Sequence, residues 1–207
     1  MTDEPTDLEL LTGWRAGDGA AGQALFARHF RKVHRFFATK CPGDIDELVQ
    51  RTFLACMRAK EQFRGESLFS TYLFAIARRE VRHWYDELHR DVARFDFEVS
   101  SIAALCPSAR TQIAGREERV RLVRALQSLP VEQQTLLELH YWEGVGIAEL
   151  AEVFEAPPVT IRSRLHRARN ALREQLMLQP DAAAEIGPTL ESLDEWARRI
   201  AAGDGRS

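Results

Sequence analysis

Residues 147–173, IAELAEVFEAPPVTIRSRLHRARNALR, decide the fold of the second half of this chain. At about 100° per residue, a helix over Pro158–Met177 gathers four apolar side chains into one stripe about 60° wide. These are Ile161, Leu165, Ala168 and Leu172. A shorter amphipathic segment, Ile147–Phe154, precedes it, and Pro158 suits a first helical position. The spacing predicts a helix-turn-helix with its turn near Glu155, where a left-handed residue is required and Glu costs about 1 kcal/mol relative to Gly.

The face opposite that stripe carries side chains typical of DNA recognition. It presents Ser163, His166 and Asn170, flanked by Arg162 and Arg167. In a major groove, Arg binds guanine and Asn binds adenine, while further arginines hold phosphates. An ordinary surface helix with a solvated basic face fits the same periodicity, so the residue pattern alone leaves both interpretations open.

Composition predicts an all-α protein. Ala and Leu number 50 against 19 for Val and Ile, and no alternating strand pattern is present. We expect two small helical domains, at 1–93 and 113–178, with a flexible linker over 94–112 and a short helical extension over 179–207. The predicted helices are Leu8–Arg15, Ala20–Ala38, Asp44–Gln62, Ser70–Arg90, Thr111–Leu129, Pro130–Trp142, Ile147–Phe154 and Pro158–Met177.

Charge and cysteine content narrow the class of protein. The 28 basic and 31 acidic residues give a net charge of −3, but residues 22–43 and 158–173 are basic without any acid. No membrane-length apolar run and no basic secretory leader occurs, and three scattered cysteines lack zinc spacing. We therefore expect a cytoplasmic protein without membrane insertion, metal or cofactor.

Two sequence features resemble ligand-binding motifs but lack the surrounding residues that such sites require. Gly17–Gly22 is formally GxGxxG, but a helix precedes it where a dinucleotide site needs a strand, so Asp18 is interpreted as a helix cap. His29 and His34 lack metal-ligand partners and are interpreted as core or solvated side chains. No set of catalytic residues is visible, so we expect no enzyme activity.

Two helices of the first half carry candidate binding faces. On the helix predicted over Asp44–Gln62, the face opposite the apolar stripe carries Glu47, Gln50, Leu54 and Met57. This mixture is typical of a docking face but also fits a second contact inside a helical bundle.

On the helix predicted over Ser70–Arg90, mixed arginine and aromatic side chains suit single-stranded DNA, although aromatics at helical spacing are usually core. The candidates there are Tyr72, Arg78, Arg79, Arg82 and Tyr85, with Trp84 and Leu88 facing inward.

The second half resembles region four of bacterial RNA polymerase sigma factors of the extracytoplasmic-function (ECF) type. The resemblance rests on Leu126-x-x-Leu129-Pro130, Ile147-x-Glu149-Leu150-Ala151 and residues 160–169, TIRSRLHRAR. It implies a helix that binds the minus-thirty-five promoter element. The implied contacts are Thr160, Arg162, Ser163, Arg164, His166, Arg167 and Asn170. Glu155 and Val159 stand where this family usually has Gly.

The first half resembles sigma region two. Residues 44–65, DIDELVQRTFLACMRAKEQFRG, are similar to region 2.2, which in that family binds the β′ clamp helices of core RNA polymerase. The positions that match are Asp46, Glu47, Leu48, Gln50 and Phe53. Together with the docking face, the resemblance predicts that polymerase is bound by Asp46, Glu47, Gln50, Leu54 and Met57. Residues 63–87 are similar to regions 2.3 and 2.4, which implies that the candidates on Ser70–Arg90 melt and read the minus-ten element. Three positions depart from the family: Arg51, Tyr72 and Arg79 replace an acid, Trp and Asn.

The resemblance implies a promoter-specificity subunit whose partners are core RNA polymerase, promoter DNA and an anti-sigma factor. The alternatives are a stand-alone helix-turn-helix regulator that binds an operator as a dimer, and a module that sequesters another transcription factor. The C-terminal stripe of Leu190, Leu193, Trp196 and Ile200 either packs on the second domain or covers a binding face.

Overall fold

The computed structural model describes residues 4–41, 43, 45–59, 63, 68–88, 96–106, 117–179, 194–195 and 197–198. These residues form helices joined by turns, with an isolated β-bridge between Ser101 and Pro130. The fold is therefore all-α over the described ranges, as predicted. In chain order the helices are α1 (Asp7–Arg15), α2 (Gly19–Ala38), α3 (Ile45–Arg58), α4 (Phe69–Leu88), α5 (Ile102–Leu105), α6 (Glu117–Gln127), α7 (Val131–Tyr141), α8 (Ile147–Val153) and α9 (Pro158–Met177).

The first half, α1 to α4, begins with two capped helices. Thr6 forms a capping box with Glu9 at the start of α1, and the Asp18 carboxylate accepts from the first backbone amides of α2. Gly22 allows α1 and α2 to approach closely, because a Cβ there would lie 2.5 Å from the Trp14 ring. Gly17 and Asp18 thus form the turn between the packed helices and Asp18 caps α2, as predicted, whereas Gly19 to Gly22 form the first turn of α2 itself.

The core of the first half lies between α2, α3 and α4. Each helix contributes a buried apolar face, which includes Leu25 and Phe37 from α2, Val49 and Cys56 from α3, and Leu73 from α4. Burial of these side chains provides the main driving force for folding of this half, at about 25 cal/mol per Å² of apolar surface.

The second half, α6 to α9, has the core that the sequence predicted. Ile161, Leu165, Ala168 and Leu172 are all buried, so α9 lies with its stripe inward and its polar face outward. In the extension, Ala197 is buried near α7 and α9, and Asp194 accepts a hydrogen bond from the Tyr141 hydroxyl. These contacts favour simple packing of the extension; its predicted stripe lies outside the described residues.

The two halves lie against each other. Part of the predicted flexible linker, residues 96–106, is packed, because Phe97 and Ile102 are buried. The amides of Val131 and Glu132 donate to the carbonyls of Ser100 and Phe97 at 3.0 and 3.1 Å. Helices α4 and α8 are also in contact. This linker segment therefore holds α7 beside the first half instead of separating the domains.

Candidate protein and nucleic-acid interfaces

An apolar groove runs along the surface between α2 and α3. Its lining includes Phe26 and Phe30 from α2 and Leu54 and Met57 from α3. Phe30 and Met57 are each 45% exposed and Leu54 is 39% exposed, which is unusual for three large apolar side chains on one surface. We call this surface the α2–α3 groove, and it is suited to receive an apolar face of another protein.

The structure places most of the predicted docking residues at this groove. Asp46, Gln50, Leu54 and Met57 line it. Glu47 does not, because it lies on the neighbouring surface where it pairs with Arg51 at 3.1 Å. The contribution of Phe26 and Phe30 was missed, although their four-residue spacing on an amphipathic helix was a visible signal.

Arg51, which departs from the family pattern, is paired with acidic residues of this chain. Its guanidinium donates to the Glu87 carboxylate on α4 at 3.0 Å and also pairs with Glu47. The hydrogen bond to Glu87 raises the pKa of Arg51. Arg51 therefore links α3 to α4 on the side away from the α2–α3 groove.

The polar face of α9 is open to solvent. Arg162, Ser163, His166 and Arg167 are exposed, while Thr160, Arg164 and Asn170 are half-buried. The Asn170 amide and the His166 ring lie 3.3 Å apart, and Arg164 pairs with Glu98 at 3.2 Å. Four of the seven predicted minus-thirty-five side chains are therefore open to solvent on α9, whereas Arg164 is engaged with Glu98.

The turn before α9 has the backbone conformation that the sequence predicted. Glu155 has φ 51°, in the left-handed region that favours glycine. Its amide donates to the Glu152 carbonyl and the Ala156 amide donates to Ala151, which closes the end of α8. The motif thus keeps its geometry with a residue that carries some backbone strain.

The arginines of α4 are engaged with acidic residues of the second half. Arg78 donates two hydrogen bonds to Glu132, at 3.0 and 2.8 Å, and Arg82 adds a third at 3.0 Å. Arg79 pairs with Glu155 at 2.8 Å, and this hydrogen bond lowers the pKa of Glu155. The three predicted minus-ten arginines share one face, which borders the second half; the Arg78 side chain is 20% exposed, while those of Arg79 and Arg82 are 67% and 53% exposed.

The prediction that Tyr85 lies on the α4 surface is wrong. Tyr85 is fully buried, donates to the Lys40 carbonyl at 2.6 Å and packs edge-on against Phe97 at 5.7 Å. The predicted inward position of Leu88 is wrong in the opposite sense, because Leu88 is 51% exposed, whereas Trp84 is half-buried and packs against the core. The physical reason is that the linker buries a different side of the last turns of α4.

Tyr72 lies where a partner could reach it. It is half-buried at the start of α4, packs on Phe63 at 4.9 Å, and donates to the Ala59 carbonyl at 3.2 Å. Burial raises the pKa of its hydroxyl. The ring is therefore held in a fixed position with one side toward solvent, which suits stacking against an unpaired base.

A buried polar network joins the two halves beneath these ion pairs. Lys40 is fully buried and its ammonium pairs with Glu138 of α7. Glu138 also accepts from Thr39 at 3.0 Å and from Gln134 at 2.8 Å, and Gln127 donates to the Thr39 carbonyl. Sequence periodicity gave no sign of this network, because its members are about a hundred residues apart.

The histidine and the cysteines that could bind a metal or react are buried where the structure describes them. His29 is buried beside Asp7 at 2.7 Å, and burial lowers its pKa. Burial raises the pKa of the Cys41 and Cys56 thiols to about 12, so both are unreactive. Within the described ranges, no cluster of His, Cys, Asp or Glu is arranged to hold a metal ion, and no helix has the length and apolarity to cross a membrane.

Two family models match this chain, and they fall on its two halves. The model described as Sigma-70 region 2 matches residues 25–99, and the model described as Sigma-70, region 4 matches residues 119–172. The first range contains the α2–α3 groove and α4, and the second contains the helix-turn-helix. The chain belongs to the sigma-70 family of RNA polymerase sigma factors.

Relatives narrow this class to the ECF type. The chain is 29% identical over 181 residues to proteins named ECF RNA polymerase sigma-E factor from Salmonella typhimurium and Escherichia coli. That alignment covers 83% of this chain and 95% of each relative. The sigma-E factor of Haemophilus influenzae is 27% identical over 186 residues, which cover 85% of this chain and 98% of the relative. The chain is an ECF sigma factor.

Solved structures share the fold. CnrH, in complex with the cytosolic domain of CnrY, superposes with a TM-score of 0.62 at 24% identity, covering 84% of this chain and 98% of that one. The sigma factor RpoE of Bartonella quintana, in complex with the anti-sigma factor NepR, gives a TM-score of 0.57 at 22% identity. It covers 76% of this chain and 97% of that chain.

Proposed function

We propose that this sigma factor binds core RNA polymerase through the α2–α3 groove and reads promoters with α4 and α9. The observation that carries the proposal is that each half presents a different kind of exposed surface. The region-2 match contains an exposed apolar groove, and the region-4 match contains a helix with a buried stripe and an open polar face. A polymerase-dependent DNA reader needs both surfaces.

The protein contributes binding energy and no chemistry of its own. Arg162 and Arg167 would contact the minus-thirty-five element, with Ser163 and Asn170 at base edges. Tyr72 and the α4 arginines would hold the opened minus-ten strand. Unstacking a base costs a few kcal/mol, and this cost is offset when the base stacks on an aromatic ring and arginines contact its phosphates.

The same groove suits regulation by a second protein. RpoE of Bartonella quintana was solved with an anti-sigma factor, and an apolar groove with exposed Phe30, Leu54 and Met57 is available here for a similar partner. An anti-sigma factor bound there would exclude polymerase by competition. The site of action would be the cytoplasm, where RNA polymerase works.

A stand-alone operator-binding regulator has less support. Such a protein needs α9 but has no use for an exposed apolar groove in a separate half of the chain. A module that only sequesters another transcription factor would have no use for the polar face of α9. Crosslinking to DNA would separate this last alternative from the proposal.

Run-off transcription with purified core polymerase tests the proposal. We expect promoter-dependent transcripts when the wild-type chain is added, on a template chosen by mapping transcription starts after overexpression. Leu54→Asp should reduce them about 100-fold through loss of polymerase binding, and Arg162→Ala, which removes an exposed side chain of α9, should reduce them through loss of a DNA contact. Arg124→Ala, an exposed arginine on α6, is the control for loss of one positive charge. No transcript from any version, with polymerase binding also absent, would contradict the proposal.

A further inference from the structure

Two side chains on the open face of α9 are joined to each other by a hydrogen bond. Asn170 and His166 lie one helical turn apart, which makes them neighbours on the surface of α9. The Asn170 amide nitrogen lies 3.3 Å from Nδ1 of the His166 ring. His166 is exposed and Asn170 is half-buried, so the ring is the more accessible group of the two.

The chemistry of the amide decides which ring nitrogen of His166 carries the proton. An amide nitrogen has two hydrogens to donate and does not accept hydrogen bonds. The Asn170 amide must therefore donate to Nδ1, and Nδ1 must carry no proton of its own. A neutral histidine has one ring proton, so this proton lies on Nε2. The contact thus makes Nε2 of His166 a hydrogen-bond donor.

A donor on this face of α9 distinguishes between bases. In the major groove, guanine presents two acceptors, N7 and O6, whereas cytosine presents a donor, its N4 amino group. Adenine places one acceptor beside an amino group, and thymine places one beside a methyl group. A single N–H donor therefore fits guanine best and is repelled by cytosine. The opposite tautomer would accept at Nε2 and would favour cytosine instead.

From this geometry we infer that Asn170 is a positioning residue for His166, whose Nε2 donates to a guanine of the minus-thirty-five element. The inference rests on the proposed function, because it takes the polar face of α9 as the surface that enters the major groove. It names the base that one side chain reads, and it makes Asn170 act through His166. Arg162 and Arg167 are exposed on the same helix and remain available for other contacts.

Promoter binding by the complex with core polymerase tests the base assignment. Duplex promoters carry each of the four base pairs in turn at every position of the minus-thirty-five element, and competition binding measures the preference at each position. The wild type should prefer guanine over cytosine about five- to tenfold at one position. His166→Ala should reduce this preference to below about twofold, because the donor is lost. His83→Ala, which removes an exposed histidine of α4, is the control and should leave the preference unchanged.

Asn170→Leu separates a positioning role from a direct base contact. Leucine is similar in size to asparagine but has no amide to donate, so the ring of His166 is no longer held with its proton on Nε2. The guanine preference should weaken at the position that His166→Ala affects, and the double variant should lose no more than His166→Ala alone. If Asn170→Leu relaxes a different position and spares the guanine, Asn170 reads its own base and the inference is wrong.

Nitrogen NMR of the free chain tests the geometry without DNA. At mildly alkaline pH, where histidine is neutral, Nδ1 of His166 should give the chemical shift of an unprotonated nitrogen and Nε2 that of a protonated one. Asn170→Leu should move the Nδ1 resonance, because the hydrogen bond to Nδ1 is lost. A ring proton on Nδ1 in the wild type would overturn the inference.

The two proposals fail in different ways. If the wild type supports promoter-dependent transcription but no guanine preference depends on His166, the base assignment is wrong and the proposed function stands. If the wild type neither binds polymerase nor supports transcription, the proposed function fails, and the base assignment fails with it.

Discussion

Helices α4 and α9 look alike in sequence but differ in what surrounds them. Both are 20 residues long and carry arginines beside a buried apolar stripe. On α9, Arg162 and Arg167 have no acidic partner among the described residues. On α4, each of Arg78, Arg79 and Arg82 is paired with an acid of the other half. The contrast shows that a residue pattern can predict a face suited to DNA, whereas packing between the halves decides whether the arginines of that face are already paired with acids.

The largest expected effect comes from the α2–α3 groove, because we propose that this surface binds polymerase, without which neither α4 nor α9 would reach a promoter. Leu54→Asp places a charge in the α2–α3 groove and should reduce promoter-dependent transcription about 100-fold, in the range of interface hot spots. Polymerase pull-down and run-off assays measure it. Leu8→Asp, which changes an exposed leucine of α1 that does not line the groove, is the control. Equal losses for both variants would mean that the groove has no special role.

The open helix should respond to substitution without any change in stability. Arg167→Ala removes an exposed side chain of α9 and should weaken promoter binding by the polymerase complex about tenfold, within the usual range for one base or phosphate contact. Because no described contact depends on Arg167, the melting temperature should stay the same. Filter binding at several salt concentrations and calorimetry provide the two readouts. A lower melting temperature with unchanged binding would contradict this assignment.

Tyr85 and Tyr72 allow the two sides of α4 to be compared. Tyr85→Phe removes a buried hydrogen bond to Lys40 and should lower the free energy of unfolding by about 1 kcal/mol, without altering promoter opening. Tyr72→Ala should reduce promoter opening, since it removes the exposed part of the stacking surface. Chemical denaturation and permanganate footprinting of the opened strand measure these effects. Weaker promoter opening by Tyr85→Phe would contradict this assignment and indicate that Tyr85 contacts DNA.

The smallest effect concerns the turn that leads into α9. Glu155→Gly and Glu155→Ala both remove the carboxylate that faces Arg79, but only Gly relaxes the backbone at φ 51°. The Gly variant should therefore be more stable than the Ala variant by about 1 kcal/mol. Equal melting curves for the two variants would show that the left-handed backbone carries no strain there.

Local sequence pattern was sufficient to predict the helices and the turn before α9, whereas the wrong predictions concern contacts between residues distant in sequence. The stripe of α9 and the left-handed turn at Glu155 depend on neighbouring residues, so periodicity and turn chemistry were sufficient. The burial of Tyr85 depends on Phe97 in a segment expected to be flexible. The pairing of Lys40 with Glu138 joins residues of different halves. Periodicity within a single sequence cannot predict contacts between residues so far apart along the chain, because these contacts depend on how the two halves pack.

The most direct test of the proposed role of α4 is a zero-length crosslink between positions 79 and 155, because α4 has to leave Glu155 in order to hold the minus-ten strand on polymerase. Arg79→Lys keeps the positive charge and supplies an amine that a carbodiimide can join to the Glu155 carboxylate; Arg79→Lys combined with Glu155→Gln is the control. Mass spectrometry should detect the 79–155 crosslinked peptide in the free chain and little of it once core polymerase is saturating. An equal yield of crosslinked peptide in the free and polymerase-bound chain would contradict the account.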